Sequence, residues 1–224
     1  MTELKDYLKS CNKLIKANWI YFVFPILFSV LSLVVVSKSN KNAIISTSLL
    51  VAQFVIVTII YSNFVSQIRS KPIVTNYTIL KRYLFKNIAV FAILYSVVGL
   101  FALLKLKSNI HIGFLQTAYI FCVEIIKPFV ISLIFFDAKV ANSFTQTFNF
   151  LRKNFKFNLP IIMAILVLPI LQYSVNMVLI SYSSEILIKT VNYLFSILNL
   201  TFEVYIFIFI SIIINVKLFS EKKL

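Results

Sequence analysis

The chain has 224 residues, 60% of them hydrophobic, with a mean hydropathy of +0.95 and a formal net charge of +15. A water-soluble core cannot enclose that much apolar surface at this length, so an ordinary globular domain is excluded and lipid is the implied solvent. The positive charge falls in a few polar segments between apolar runs, which argues against nucleic-acid binding and for a topology signal.

Residues 2–18, TELKDYLKSCNKLIKAN, predict an amphipathic helix with Thr2 as a candidate N-cap and Leu4, Leu8, Cys11 and Ile15 on one face. An apolar span over 18–36 follows, with Trp19 and Tyr21 placed for an aromatic belt and Pro25 near its start. The turn SKSNKN leads to a span over 43–65. Residues 70–87, SKPIVTNYTILKRYLFKN, use the same grammar: Ser70 can cap, Pro72 suits a first turn, and Ile73, Tyr77, Leu80 and Leu84 form the stripe. Spans over 88–104 and 114–136 follow, joined by KLKSNIHIG. The first of these is short and is flanked by Lys86 and Lys105, whose stems can snorkel.

The clearest copy occupies residues 137–168. Asp137 is a candidate N-cap, and Val140, Phe144, Phe148, Leu151 and Phe155 share a helical face, with Asn142, Gln146, Asn149, Arg152 and Lys153 largely elsewhere. Spans over 159–180 and 191–216 complete it. Each amphipathic segment closes on a similar step, at Asn18, Asn87 and Asn154, which predicts internal repeats over 2–65, 70–136 and 137–216 within one integral membrane domain, 1–224. Each span is long enough for a hydrocarbon layer of about 30 Å. The expected fold is therefore all-α and polytopic: six transmembrane helices in three hairpins, each preceded by an interfacial amphipathic helix.

Sixteen of the 22 Lys and Arg lie in residues 1–17, 66–87, 137–158 and the tail, five lie in the opposite connections, and Lys127 lies within a span. By the positive-inside rule, both termini are expected in the cytoplasm, at a cell membrane. The first apolar segment is expected to be retained, because no small-residue cleavage site follows it. The basic helices are expected to lie flat on anionic lipid and so to have membrane lipids as partners. A sharper alternative has them dock a cytoplasmic ATPase or another membrane subunit. The two glycines, Gly99 and Gly113, exclude Gly-rich nucleotide loops and GxxxG packing. Helix contacts are expected through Ala92, Ser96 and Gly99, and through Ser48 and Ala52.

The polar residues inside the spans are the candidate site. Glu124 lies mid-span, with Lys127 three residues on and Pro128 next, where the missing N–H frees a backbone acceptor. Glu203 ends a stripe of Asn192, Ser196 and Asn199, and Gln172 and Asn176 share a face beyond Pro169. An ionised group at the bilayer centre costs about 2.5–3.5 kcal/mol, so these groups should face one interior volume. Two readings are open. One is structural: a Glu124–Lys127 pair, with Glu203 bonded to Asn199. The other is a binding site or proton relay made by Glu124, Lys127, Glu203, Asn199, Gln172 and Asn176. His111 reads as a solvated loop residue, and Cys11 and Cys122 make no disulfide or metal framework. No metal or cofactor is expected. No catalytic constellation is visible either, so an enzyme would have to work with Cys122 or the carboxylates unaided.

The segment SFTQTFNFLRKNFKFNLPIIMAIL, with its echoes at Asn18 and Asn87, resembles the multi-pass membrane domain of bacterial glycerophosphodiester phosphodiesterases and related stand-alone membrane proteins of unknown function. The resemblance implies a link to lipid metabolism without the phosphodiesterase domain. The length, the N-terminal amphipathic helix and the six spans also look like the permease subunits of ABC exporters, including those that give immunity to antimicrobial peptides. The leading expectation is a non-enzymatic membrane protein that handles or senses an amphipathic, lipid-like molecule or supports a membrane complex. The alternatives are a permease subunit engaged in transport and an intramembrane enzyme.

Overall fold

The computed structural model describes residues 2–38, 43–72, 74–107, 113–182 and 185–220. The expected turns at Asn40 and Ser183, His111, and Ile73 of the second stripe lie outside them, as do the side chains of Thr2 and Lys105. No strand occurs among the described residues. The chain runs through α1 (Thr2–Ala17), α2 (Trp19–Lys38), α3 (Ala43–Ile68), α4 (Asn76–Ile79), a π-helical turn (Leu80–Leu84) and α5 (Phe85–Lys107). It continues through α6 (Gly113–Phe135), α7 (Val140–Lys153), α8 (Phe155–Tyr182), α9 (Glu185–Ile214) and a terminal π-helical segment (Asn215–Ser220). Among the described residues, five helical stretches are long and apolar enough to cross a membrane alone; α2 supplies a sixth when taken with α1, from which it is bent by 77°. The protein is an all-α polytopic membrane protein.

The local signals place the helix ends differently from the expectation. Ser70 and Asp137 do not cap the helices that follow them. Both adopt left-handed backbone, with φ of 52° and 74°, and close the helices before them. The Lys71 N–H reaches the Ser66 carbonyl at 2.8 Å and the Ser70 N–H reaches Gln67 at 3.0 Å; the Ala138 and Asp137 N–H groups reach Leu133 and Ile134, both at 3.0 Å. This is the Schellman closure, which usually takes glycine. With two glycines in the chain, a serine and an aspartate take the position instead. The following helices start later, with Thr75 and Lys139 as extended N-caps.

The three closing asparagines also divide. Asn18 breaks the chain between α1 and α2: its N–H and its side-chain Nδ2 both donate to the Leu14 carbonyl, at 3.1 and 3.0 Å. Asn154 does the same between α7 and α8, donating to Phe150 at 3.0 and 3.2 Å. Asn87 makes no break. It is buried inside α5 and donates to Thr58 Oγ1 at 3.3 Å, so the helix is continuous from α4 through the π turn into the span. The third span is accordingly long rather than short.

Face assignments shift as well. In α7 the buried residues are Ser143, Thr147 and Phe150; of the predicted stripe, Val140, Phe144 and Leu151 pack against the core, while Phe148 and Phe155 are exposed. The small hydroxyl residues allow close approach to α6, where Phe150 meets Phe129 at 6.0 Å between ring centroids. In the second unit Tyr77 is 76% exposed, and Ile79, Tyr83 and Asn87 face inward. The proposed small-residue face of α5 packs on nothing described: Ala92 and Ser96 are exposed, and a Cβ built on Gly99 meets no atom within 4 Å. Val90 and Leu94 make the contact instead. Ser48 is exposed too.

The core fills the end of the bundle where α3, α6 and α9 terminate. Tyr61 stacks on Phe207 at 3.7 Å, both pack edge-on to Phe135, and Ser132 and Ser211 share a hydrogen bond of 2.9 Å. Across this end lies α1, packed on α9, with Tyr7 and Cys11 buried against the protein. Asp137 ties the same end together. It accepts from Arg82 Nε at 2.8 Å and from the Tyr83 hydroxyl at 2.7 Å, with Arg69 at 3.6 Å.

Candidate functional site

Above that core the helices leave a cavity of about 460 Å³ between α6, α8 and α9. Its polar wall contains all six residues singled out in the sequence: Glu124 and Lys127 from α6, Gln172 and Asn176 from α8, Asn199 and Glu203 from α9. Helical spacing explains the convergence. The i,i+3 step from Glu124 to Lys127 and the i,i+4 steps within each of the other pairs keep each pair on one face, and α9 packs against both partners.

Lys127 is 6% exposed and lies 3.0 Å from Glu124 Oε2 and 3.3 Å from Glu203 Oε2. An ammonium enclosed this way needs its counter-charges close, because desolvation is the larger cost. It therefore bridges two helices as well as two acids. The expected pair of Glu124 with Lys127 is present, but Asn199 does not bond Glu203. It donates instead to Gln172 Oε1 at 2.6 Å, which joins α9 to α8. Asn176 Oδ1 is buried and accepts no hydrogen bond. Ser196 turns away, exposed, and bonds the Asn192 carbonyl of its own helix at 2.9 Å.

Sequence reasoning missed Tyr95 of α5, whose hydroxyl donates to Glu124 Oε1 at 3.3 Å. A tyrosine in an apolar span is a weak signal, because tyrosines also line membrane interfaces. It missed the Asp137 cluster too, having spent Asp137 on a cap. The remaining wall is mainly apolar, with Phe121, Ile165, Pro169 and Phe202 prominent.

The arrangement can hold a molecule with one polar end and an apolar body. No group of three His, Cys, Asp or Glu among the described residues could hold a metal ion. Cys122 is exposed, whereas burial pushes the Cys11 thiol up to about 12, which keeps it an unreactive thiol. No protein-family model, curated protein or solved structure matches this chain.

Proposed function

We propose that this is a non-enzymatic, multi-pass membrane protein that binds an amphipathic molecule drawn from the bilayer. The observation that carries the reading is the cavity between α6, α8 and α9, apolar for most of its wall, with an ion cluster and three amides at one place in it. Here the carboxylates of Glu124 and Glu203 remain 26% and 31% exposed. Polar groups at this depth favour a pathway or binding site. A cavity of this size also falls within the range of about 300–1,000 Å³ that small-molecule sites occupy.

Asn176→Trp would fill the cavity from a partly exposed position. Purified in native lipid, the unaltered protein should retain an amphiphile detectable by mass spectrometry, and Asn176→Trp should lose it at unchanged fold. Equal retention by both would remove the cavity from the function. The charge distribution supports a second part of the proposal, that both termini face the cytoplasm of a cell membrane. In a background lacking Cys11 and Cys122, a cysteine at Asn40 should label from outside and one at Asn142 should stay protected. Strong external labelling at Asn142 would reverse the orientation.

A further inference from the structure

The cavity has no uncommitted positive charge. Lys127, the single basic residue of its described wall, is enclosed and divided between two carboxylates. Two glutamates against one lysine leave a formal charge of −1. Among the amides, Asn199 Nδ2 is committed to Gln172 Oε1 and not to Glu203. Glu124 is held on both oxygens, by Lys127 and Tyr95, whereas the contact that holds Glu203 among the described residues is the single ion pair. The unmet demand is therefore for one cationic donor at Glu203, beside the apolar surface of Phe202 and Ile165.

We propose that the occupant is a small amphipathic cation, an ammonium group carried on an apolar chain. Its N–H groups donate to Glu203, and its chain lies along Phe202 and Ile165. An anionic amphiphile would meet a negative site with no free counter-charge. A neutral alcohol would leave that charge uncompensated in a low-dielectric wall, where it is most costly. The inference rests on the amphiphile-binding reading above and adds the sign of the headgroup.

The test uses the whole chain in phosphatidylcholine nanodiscs, with empty nanodiscs as the baseline and radiolabelled decylammonium as the probe. Unlabelled decanol and decyl sulfate, of the same chain length, serve as competitors. Decylammonium should bind saturably and about tenfold more tightly than decanol, the factor expected for a charged hydrogen bond, and decyl sulfate should not compete. Glu203→Gln, which keeps the side-chain shape, should bring decylammonium down to the decanol level. Asn176→Trp, which fills part of the cavity, should weaken decylammonium and decanol together. Thermal unfolding checks that each variant is folded. Should Glu203→Gln fail that check, the competitor ranking on the unaltered protein decides. Decanol or decyl sulfate binding as tightly as decylammonium would overturn the cationic headgroup and leave the amphiphile cavity standing. No saturable binding by any of the three would overturn both.

Discussion

At Lys127 one cation sits between two carboxylates; at Asp137 one carboxylate sits between two guanidinium groups. The two clusters mirror each other in composition and differ in where they sit. Asp137 Oδ1 takes Arg82 and Tyr83, its other oxygen faces Arg69, and the Arg69 guanidinium also lies over the rings of Phe136 and Phe219 at 5.4 and 5.9 Å. Those contacts clasp the ends of α3 and α6 to the π turn and the C-terminal segment. The Lys127 cluster joins α6 to α9 as well, and both of its carboxylates line a cavity. The same ionic chemistry thus makes a fastener between helix ends in one place and part of a cavity wall in the other.

The largest expected effect is at the enclosed cation. Lys127→Met should lower stability by about 3–5 kcal/mol, because it strands two carboxylates that have no other cation nearby. Adding Glu124→Gln should recover much of the loss, by removing one of the stranded charges. Thermal unfolding in detergent across the single and double variants measures this. Losses that simply add, with no rescue, would show that Lys127 and Glu124 do not act as a pair.

Asp137 should behave more mildly. Asp137→Asn keeps a residue that tolerates left-handed backbone and removes only the charge, so about 1–2 kcal/mol should be lost. Asp137→Val should cost more, because a β-branched residue is strained at a φ of 74°. Neither change should alter ligand binding at the cavity. Glu203→Gln should show the opposite profile, with near-native unfolding and impaired binding. If Asp137→Asn disturbed binding as much as Glu203→Gln does, the division between fastener and site would fail.

The cavity residues were legible in the sequence because a polar group within an apolar span is conspicuous and helical spacing says which of them share a face. Glu124, Lys127, Gln172, Asn176, Asn199 and Glu203 all stand out on that ground. The fastener was not legible for the opposite reason. Asp137 and Ser70 follow long helices and precede new ones, so their side chains suit an N-cap as readily as a left-handed C-terminal residue, and the usual glycine marker is missing. Periodicity found that α7 is amphipathic and found part of its inner face. Val140, Phe144 and Leu151 pack on the core, but the most buried positions are Ser143, Thr147 and Phe150, so the buried face is turned toward small hydroxyl residues that an apolar stripe leaves out. Nothing in LKRYL distinguishes the π turn from an α-helix, and so the continuity through Asn87 went unseen.

The smallest effect belongs to a third ion pair, which links the end of the chain to its beginning. Lys217 Nζ lies 2.9 Å from Glu3 Oε1 and 4.2 Å from the Phe157 ring centroid, and the Tyr7 hydroxyl donates to the same carboxylate oxygen at 2.9 Å. The Lys217 hydrogen bond first, and then that of Tyr7, hold the Glu3 carboxyl below its ordinary value of 4.5. A carboxyl depressed in the folded state contributes stability that is fully present above its unfolded value and is lost as pH falls through its lowered folded value. The side chain of Glu3 is 54% exposed, so solvent screening keeps the contribution below about 1 kcal/mol. The expected signature is therefore local. Protection of α1 amides, taken relative to their intrinsic exchange rate at each pH, should fall modestly once the pH drops below about 4.5, while the core helices α6 and α9 stay protected. Glu3→Gln should show the reduced protection already at neutral pH and lose most of the acid dependence in α1. An α1 whose protection falls equally with acid in both proteins would owe its docking to the buried face of Tyr7 and Cys11 alone, and the ion pair would contribute nothing measurable.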